Sequence, residues 1–327
     1  MSLLPTSFRS KIFFSIPGAL LLMAALVSCG TPQKSDGASD QSKLNVVTTF
    51  LPITLFTEAV AGECATVTAL IPPNLGPHDF QATPSDIAAL SNAAVLVKNG
   101  LGIEYFLEKL TDSAENDTLQ VIDTSRGVAV IQSAEEEGGH HHHHHGGDHG
   151  GDHGEVNPHI WLDPLRAVQQ VENIRDGLVK ADPDCADGYM QRAAAYSDQL
   201  KELNATFATQ LKPFRGQTFI AFHDFAPYFA ERYDIKAEFV VDVPEMNPTP
   251  ADLQRVSNQV ERSQLKALLS EPQEGARSFN AVAEDLGVNV VTFDPLETGS
   301  EEASKQPDTY FKVMKNNVAS LIKAFGV

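Results

Sequence analysis

Eleven histidines are spread unevenly through the 327 residues. Eight of them (His140, His141, His142, His143, His144, His145, His149 and His153) fall in one low-complexity stretch. The other three lie in sequence with the patterning of folded structure. His78 follows the turn-rich run Pro72-Pro73-Asn74-Leu75-Gly76-Pro77, and His159 sits in Asn157-Pro158-His159-Ile160-Trp161-Leu162-Asp163-Pro164. His223 ends the apolar run Phe219-Ile220-Ala221-Phe222, and Asp294 ends Val290-Val291-Thr292-Phe293 in the same way. Three imidazoles and a carboxylate suit a divalent transition metal, and the nitrogen content favours Zn²⁺. Calcium and magnesium want oxygen shells. A single histidine is ordinarily a hydrogen-bonded structural group, and an Asp before Pro is also an ordinary turn or cap. It is the grouping of three at such positions that points to a metal.

The elements that must position them follow from periodicity. Short β-rich runs alternate with helical patterns from residue 44 onward, which predicts βαβ units around parallel sheets. Four strands are expected at 45–49, 66–71, 94–98 and 119–122, and four more at 218–222, 237–241, 267–270 and 289–293. The tetrapeptides Thr83-Pro84-Ser85-Asp86 and Thr249-Pro250-Ala251-Asp252 follow the second strand of each set, and each reads as a capped helix start. Between the sets, 184–212 reads as one long helix. Tyr189, Tyr196, Leu200, Leu203, Phe207 and Leu211 form its apolar stripe. The fold class is therefore α/β, with two lobes, each a four-stranded parallel sheet flanked by helices, joined by one long rigid helix. The lobes are expected at 44–182 and 213–327, with the linking helix at 183–212. Parallel sheets bind ligands beyond the carboxyl ends of their strands, so all three histidines could face one crevice between the lobes.

The amino terminus reads as an address. Arg9 and Lys11 precede an apolar run at 12–27 that closes on Leu26-Val27-Ser28-Cys29. That run has about 16 residues, short of the ~20 a spanning helix needs. The tetrapeptide resembles a lipobox, which makes 1–28 a lipoprotein signal peptide and Cys29 the lipidated residue; an uncleaved anchor is the alternative. Residues 29–43 are small and polar, a flexible tether. With Cys29 lipidated, Cys64 and Cys185 remain, either bridged in an oxidising compartment or separate buried thiols.

A net charge of −19 argues against nucleic acid and accommodates a cationic ligand. The stretch 132–156 carries Glu135, Glu136, Glu137, the eight histidines and two Gly-Asp-His steps, and cannot bury a core. It reads as a mobile, low-affinity metal-collecting loop.

Taken together, Pro77-His78 with Thr83-Pro84-Ser85-Asp86, the segment from Asn157 to Pro164, and Phe222-His223-Asp224 resemble the signature of the zinc-binding solute-binding proteins of metal ABC importers. The resemblance covers nearly the whole chain, including the lipobox, the acidic His-rich loop and Asp294-Pro295. It implies two α/β lobes with one Zn²⁺ held tightly between them, and ligands at His78, His159, His223 and Asp294. It further implies delivery to an ABC permease by a monomer tethered to the membrane through Cys29, on the periplasmic or extracellular face. Manganese members usually offer a carboxylate where this chain has His223, so zinc is the expected metal. Some zinc members place a Glu just before the first histidine; Pro77 stands there, leaving Asp294 or water to complete the shell. Binding by neutral imidazoles is expected to weaken below about pH 6.

Two other classes compete. A zinc hydrolase would also use three ligands and an open position, but no His-Glu-x-x-His helix is present, and Glu104, Glu245 and Glu271 read as scattered caps or solvated acids. The chain is therefore not expected to be an enzyme. A lipid-anchored metal buffer or adhesin without a transporter fits the anchor and the loop equally well.

Overall fold

Runs of Val, Ile, Thr and Phe bounded by turn residues become strands, and the amphipathic stretches between them become helices. The computed structural model describes residues 43–132 and 156–326, apart from 245, 247, 264, 266 and 273–276. The signal segment, the tether with Cys29, and His140, His141, His142, His143, His144, His145, His149 and His153 lie outside the described residues.

The first sheet is built from β1 (Leu44–Thr48), β2 (Ala65–Ala69), β3 (Val95–Lys98) and β4 (Gln120–Asp123). Helices α1 (Leu51–Ala61), α2 (Pro84–Ser91) and α3 (Leu107–Ala114) connect them. Two helices follow, α4 (Pro164–Ala181) and α5 (Ala186–Leu211). The second sheet contains β5 (Thr218–His223), β6 (Lys236–Val241), β7 (Ala267–Ser270) and β8 (Asn289–Thr292). Its helices are α6 (Pro227–Tyr233), α7 (Pro250–Ser263) and α8 (Arg277–Leu286). The short α9 (Glu301–Ser304) and α10 (Thr309–Ala324) end the chain. Every pairing is parallel, and the strand orders β2-β1-β3-β4 and β6-β5-β7-β8 are the same arrangement repeated.

The repeated helix starts are built alike. Asp86 accepts the Thr83 backbone N–H at 2.7 Å, and Asp252 accepts that of Thr249 at 2.8 Å. The expected long helix begins two residues later than its pattern, after a 3₁₀ turn at Pro183–Cys185, and buries the whole stripe from Tyr189 to Leu211. At ~1.5 Å per residue its 26 residues span about 39 Å. Cys64 and Cys185 are disulfide-bonded, tying the end of α1 to the start of α5. Beside the bridge, the Arg192 guanidinium donates to the carbonyls of Val60 and Ala61.

One apolar core runs through both sheets. It includes Val46, Val95 and Leu96 from the first sheet, Phe219, Ala221 and Leu269 from the second, and Tyr310, Met314 and Leu321 from α10. The opposite face of the second sheet packs Ile220, Phe222 and Leu268 against Val256 and Val260 of α7 in a smaller cluster. That division follows the two-residue period of a strand. Among the described residues no helix is long and apolar enough to cross a membrane.

Candidate metal centre

His223 is the last residue of β5, in the middle of the second sheet, and its side chain is fully buried. Next to β5 lies β7, and the residue after β7 is Glu271. The Glu271 carboxylate sits against His223 from below. It accepts the His223 backbone N–H at 3.0 Å, and both its oxygens lie 2.7 Å from the ring Nδ1. The remaining nitrogen, Nε2, is thereby aimed at His159 and Glu297.

His159 is held by a different acceptor to the same effect. Asn157 Oδ1 takes the His159 backbone N–H at 3.1 Å and faces its Nδ1 at 2.9 Å. The amide's orientation is fixed from its other end, where Nδ2 donates to the Asp224 carbonyl at 2.7 Å. An amide oxygen only accepts, so Nδ1 of His159 donates to it, and the ring is held with Nε2 turned toward Glu297 and His223, where it could face a metal. After His159 a 3₁₀ turn, Ile160–Leu162, leads to Asp163, which caps α4 through the Leu165 N–H. The buried Asp163 carboxylate also takes both arms of Arg232 on α6 and one of Arg166, locking α4 to α6 beneath the site.

The carboxylate among the imidazoles is Glu297, not Asp294. Glu297 Oε1 lies 3.0 Å from His159 Nε2, 3.4 Å from His223 Nε2 and 3.9 Å from His78 Nε2. The two buried Nε2 atoms are 3.3 Å apart. One ligand atom from each of His78, His159, His223 and Glu297 falls within 4.8 Å of all the others, and Asp294 is not in that group. Asp294 is engaged in shaping the turn instead. Its Oδ1 accepts the Leu296 N–H at 2.8 Å, while Asn317 brackets its backbone from both sides. Leu296 takes a left-handed φ of 64°, and Trp161 Nε1 donates to the Pro295 carbonyl at 2.7 Å. This corner turns Glu297 inward. A missing carboxylate before His78 and a second acid three residues past Asp294 are the signals that could have found it.

Three of the four donor atoms, on His159, His223 and Glu297, have the spacing a tetrahedral zinc shell requires. With Zn–N and Zn–O bonds near 2.0–2.1 Å, the edges of the tetrahedron are about 3.3 Å. Three of the measured separations fall within a few tenths of that length, and the His78 edge is wider. His78 is also the most accessible of the four, its side chain 16% exposed against 0–4% for the others.

Charge reinforces the geometry. Burial alone would pull the His223 pKa down, but Glu271 and Glu297 on either side of the ring outweigh it and hold that pKa well above 6.5. Burial would raise Glu297, yet the neighbouring His223 and the contacts from His159 and His223 keep it well below its ordinary value. Burial pushes Asp294 up to about 6, partly offset by the Leu296 N–H. Two acids that read as scattered caps are in fact buried. Besides Glu271, Glu104 accepts from the Thr49 hydroxyl and the Asn99 and Gly100 N–H groups, and burial raises it to about 7. Glu245 lies outside the described residues.

Residues 46–324 match the family described as zinc-uptake complex component A, periplasmic. The zinc-binding lipoprotein AdcA of Streptococcus pneumoniae is 31% identical over 93% of this chain; the chain spans 59% of that relative's length. The high-affinity zinc uptake system protein ZnuA of Bacillus subtilis is 30% identical over 94% of this chain and 95% of its own. The solved Zn(II)-bound ZnuA-like domain of the pneumococcal AdcA superposes with a TM-score of 0.71 at 27% identity, covering 87% of this chain and all of that one.

Proposed function

Because the chain belongs to the periplasmic zinc-uptake component A family, we propose that it captures Zn²⁺ in the crevice between its two sheets and hands it to an ABC-type permease. The observation that carries this reading is the convergence of His78, His159, His223 and Glu297, with ligand atoms within 4.8 Å of one another and both buried imidazoles held by their Nδ1 atoms. Three nitrogen donors select against calcium and magnesium, and the His223 imidazole favours zinc over manganese. The protein acts as a carrier rather than an enzyme, in keeping with its zinc-uptake family. Ligation by His78, His159, His223 and Glu297 is the assignment the spacing supports, with Asp294 holding the turn.

The lipid anchor at Cys29, the position outside the cytoplasmic membrane and the monomeric state belong to the same proposal, supported by the amino-terminal pattern and by the lipoprotein relatives. The histidines of 132–156 would collect zinc weakly and feed the site; Gln132 and Val156 pair at the base of that segment, one residue from Asn157. Calorimetric titration with Zn²⁺ and Mn²⁺ tests the reading on the parent, a 132–156 deletion and His78→Ala. One tight zinc site that survives the deletion and collapses with His78→Ala is the expected result. Loss of all tight binding with the loop would overturn it.

A further inference from the structure

Glu271 holds the backbone N–H and ring Nδ1 of His223, so its contribution to the site is electrical as well as geometric. It is 2% exposed, and one imidazole ring separates its carboxylate from the point where the donor atoms meet. Glu297 puts a second buried carboxylate directly at that point. The other acids nearby have their own partners further out, Asp224 at the Asn157 amide and Asp294 at the Leu296 N–H. Where water is largely excluded, buried carboxylate charge favours a doubly charged ion over a singly charged one.

We infer that Glu271 is a specificity-determining residue, selecting a divalent ion over a monovalent ion of the same ligand preference through charge delivered across His223. The inference rests on the reading of the cluster as a zinc site. Its physical content is that a fixed charge acts on a metal in proportion to the metal's own charge. Removing it therefore weakens a dication twice as much, on a logarithmic scale, as a monocation. Any effect on His223 alone, through its orientation or the proton it gives up, weakens or strengthens both ions equally and cancels in the ratio of their affinities.

Cu⁺ is the suitable probe because it shares the filled d shell of Zn²⁺ and carries one charge fewer. The full chain in detergent, with its disulfide intact, is titrated anaerobically at pH 7.5 with each metal against a competing chelator, at no more than one equivalent so that weaker sites stay empty. Glu271→Gln keeps the shape and a hydrogen-bond acceptor while removing the charge. The expected result is a fall of at least about tenfold in the Zn²⁺-to-Cu⁺ affinity ratio. Glu271→Asp keeps the charge and shortens the arm, and it should preserve the ratio within about threefold even where both affinities drop together. An unchanged ratio in Glu271→Gln, or an equal fall in Glu271→Asp, overturns the inference. Failure of the parent to show a tight zinc site lost in His223→Ala would instead overturn the zinc reading itself. If Glu271→Gln does not fold, the Asp variant and an equivalent Glu271→Ser variant carry the same comparison.

Discussion

Zinc affinity should rise about tenfold or more for each pH unit between 6.5 and 7.5. In the metal-free protein His223 is fully buried between Glu271 and Glu297, whose combined charge outweighs desolvation and holds the imidazolium well above pH 6.5. Zinc needs the Nε2 lone pair, so each ion bound in this range displaces one proton from that ring. Glu297 is already ionised and releases none, and Asp294, at about 6, has lost most of its proton by pH 7. The His223 proton alone gives a slope of one in log affinity against pH, or about 1.4 kcal/mol per unit. A ring at the ordinary value would give a slope that is flattening over the same interval. The folding contribution has the opposite sense. A raised pKa on a base stabilises the metal-free fold fully below the unfolded value of about 6.5, and that stability fades as pH climbs through the folded value. Alkaline conditions therefore loosen the empty protein while tightening its grip on zinc. Calorimetry at pH 7 in phosphate and in Tris, whose ionisation heats differ, counts the protons directly and should return one or more. A count near zero with a flat competition slope from pH 6.5 to 7.5 would refute the account of His223.

Substituting the two candidate acids separates their roles. Glu297→Gln should weaken zinc by tenfold or more in a chelator competition, whereas Asp294→Asn, which retains an oxygen for the Leu296 N–H, should stay within about threefold. Trp161→Phe removes the donor on the Pro295 carbonyl and should lower zinc affinity several-fold by loosening the corner that presents Glu297, with the metal-free melting temperature changing less than for a core cavity. Replacing Cys64 and Cys185 with Ala releases a loop of 121 residues; chain entropy sets the loss at up to about 5 kcal/mol, read as a lower denaturant midpoint. Zinc affinity of the folded fraction should be unchanged, since the bridge lies at the far end of α1 from the site.

Much of this architecture is legible from the residues alone, and the exceptions have physical reasons. The strands announce themselves as short apolar β-branched runs, and each observed strand lies within two residues of its expected limits at either end. His78, His159 and His223 stand out because histidine is otherwise confined to one tract. Glu297 does not, because its direction depends on Leu296 adopting a left-handed backbone that a leucine rarely takes and no pattern signals. Asp294 is the first acid after the strand and attracts the assignment, but its carboxylate is consumed by the same corner. Glu271 is hidden for another reason. Its partner, His223, is 48 residues away, and only the sheet order, which sets β7 beside β5, brings the two strand ends together. The pH window moves for the same cause: an isolated histidine is expected to give way below about pH 6, and the two carboxylates lift that limit.

The core that passes from Val46 and Leu96 through α5 and α10 to Phe219 and Leu269 has a consequence for how the molecule comes apart. Two lobes with private interiors would melt one after the other. Here the inner face of each sheet is the wall of the same interior, so opening one side exposes Tyr310, Met314 and Phe219 on the other. The described fold should therefore unfold in one cooperative step, with calorimetric and van't Hoff enthalpies in agreement, and a chain cut between α5 and β5 should yield two fragments that are insoluble apart and that regain structure only when mixed.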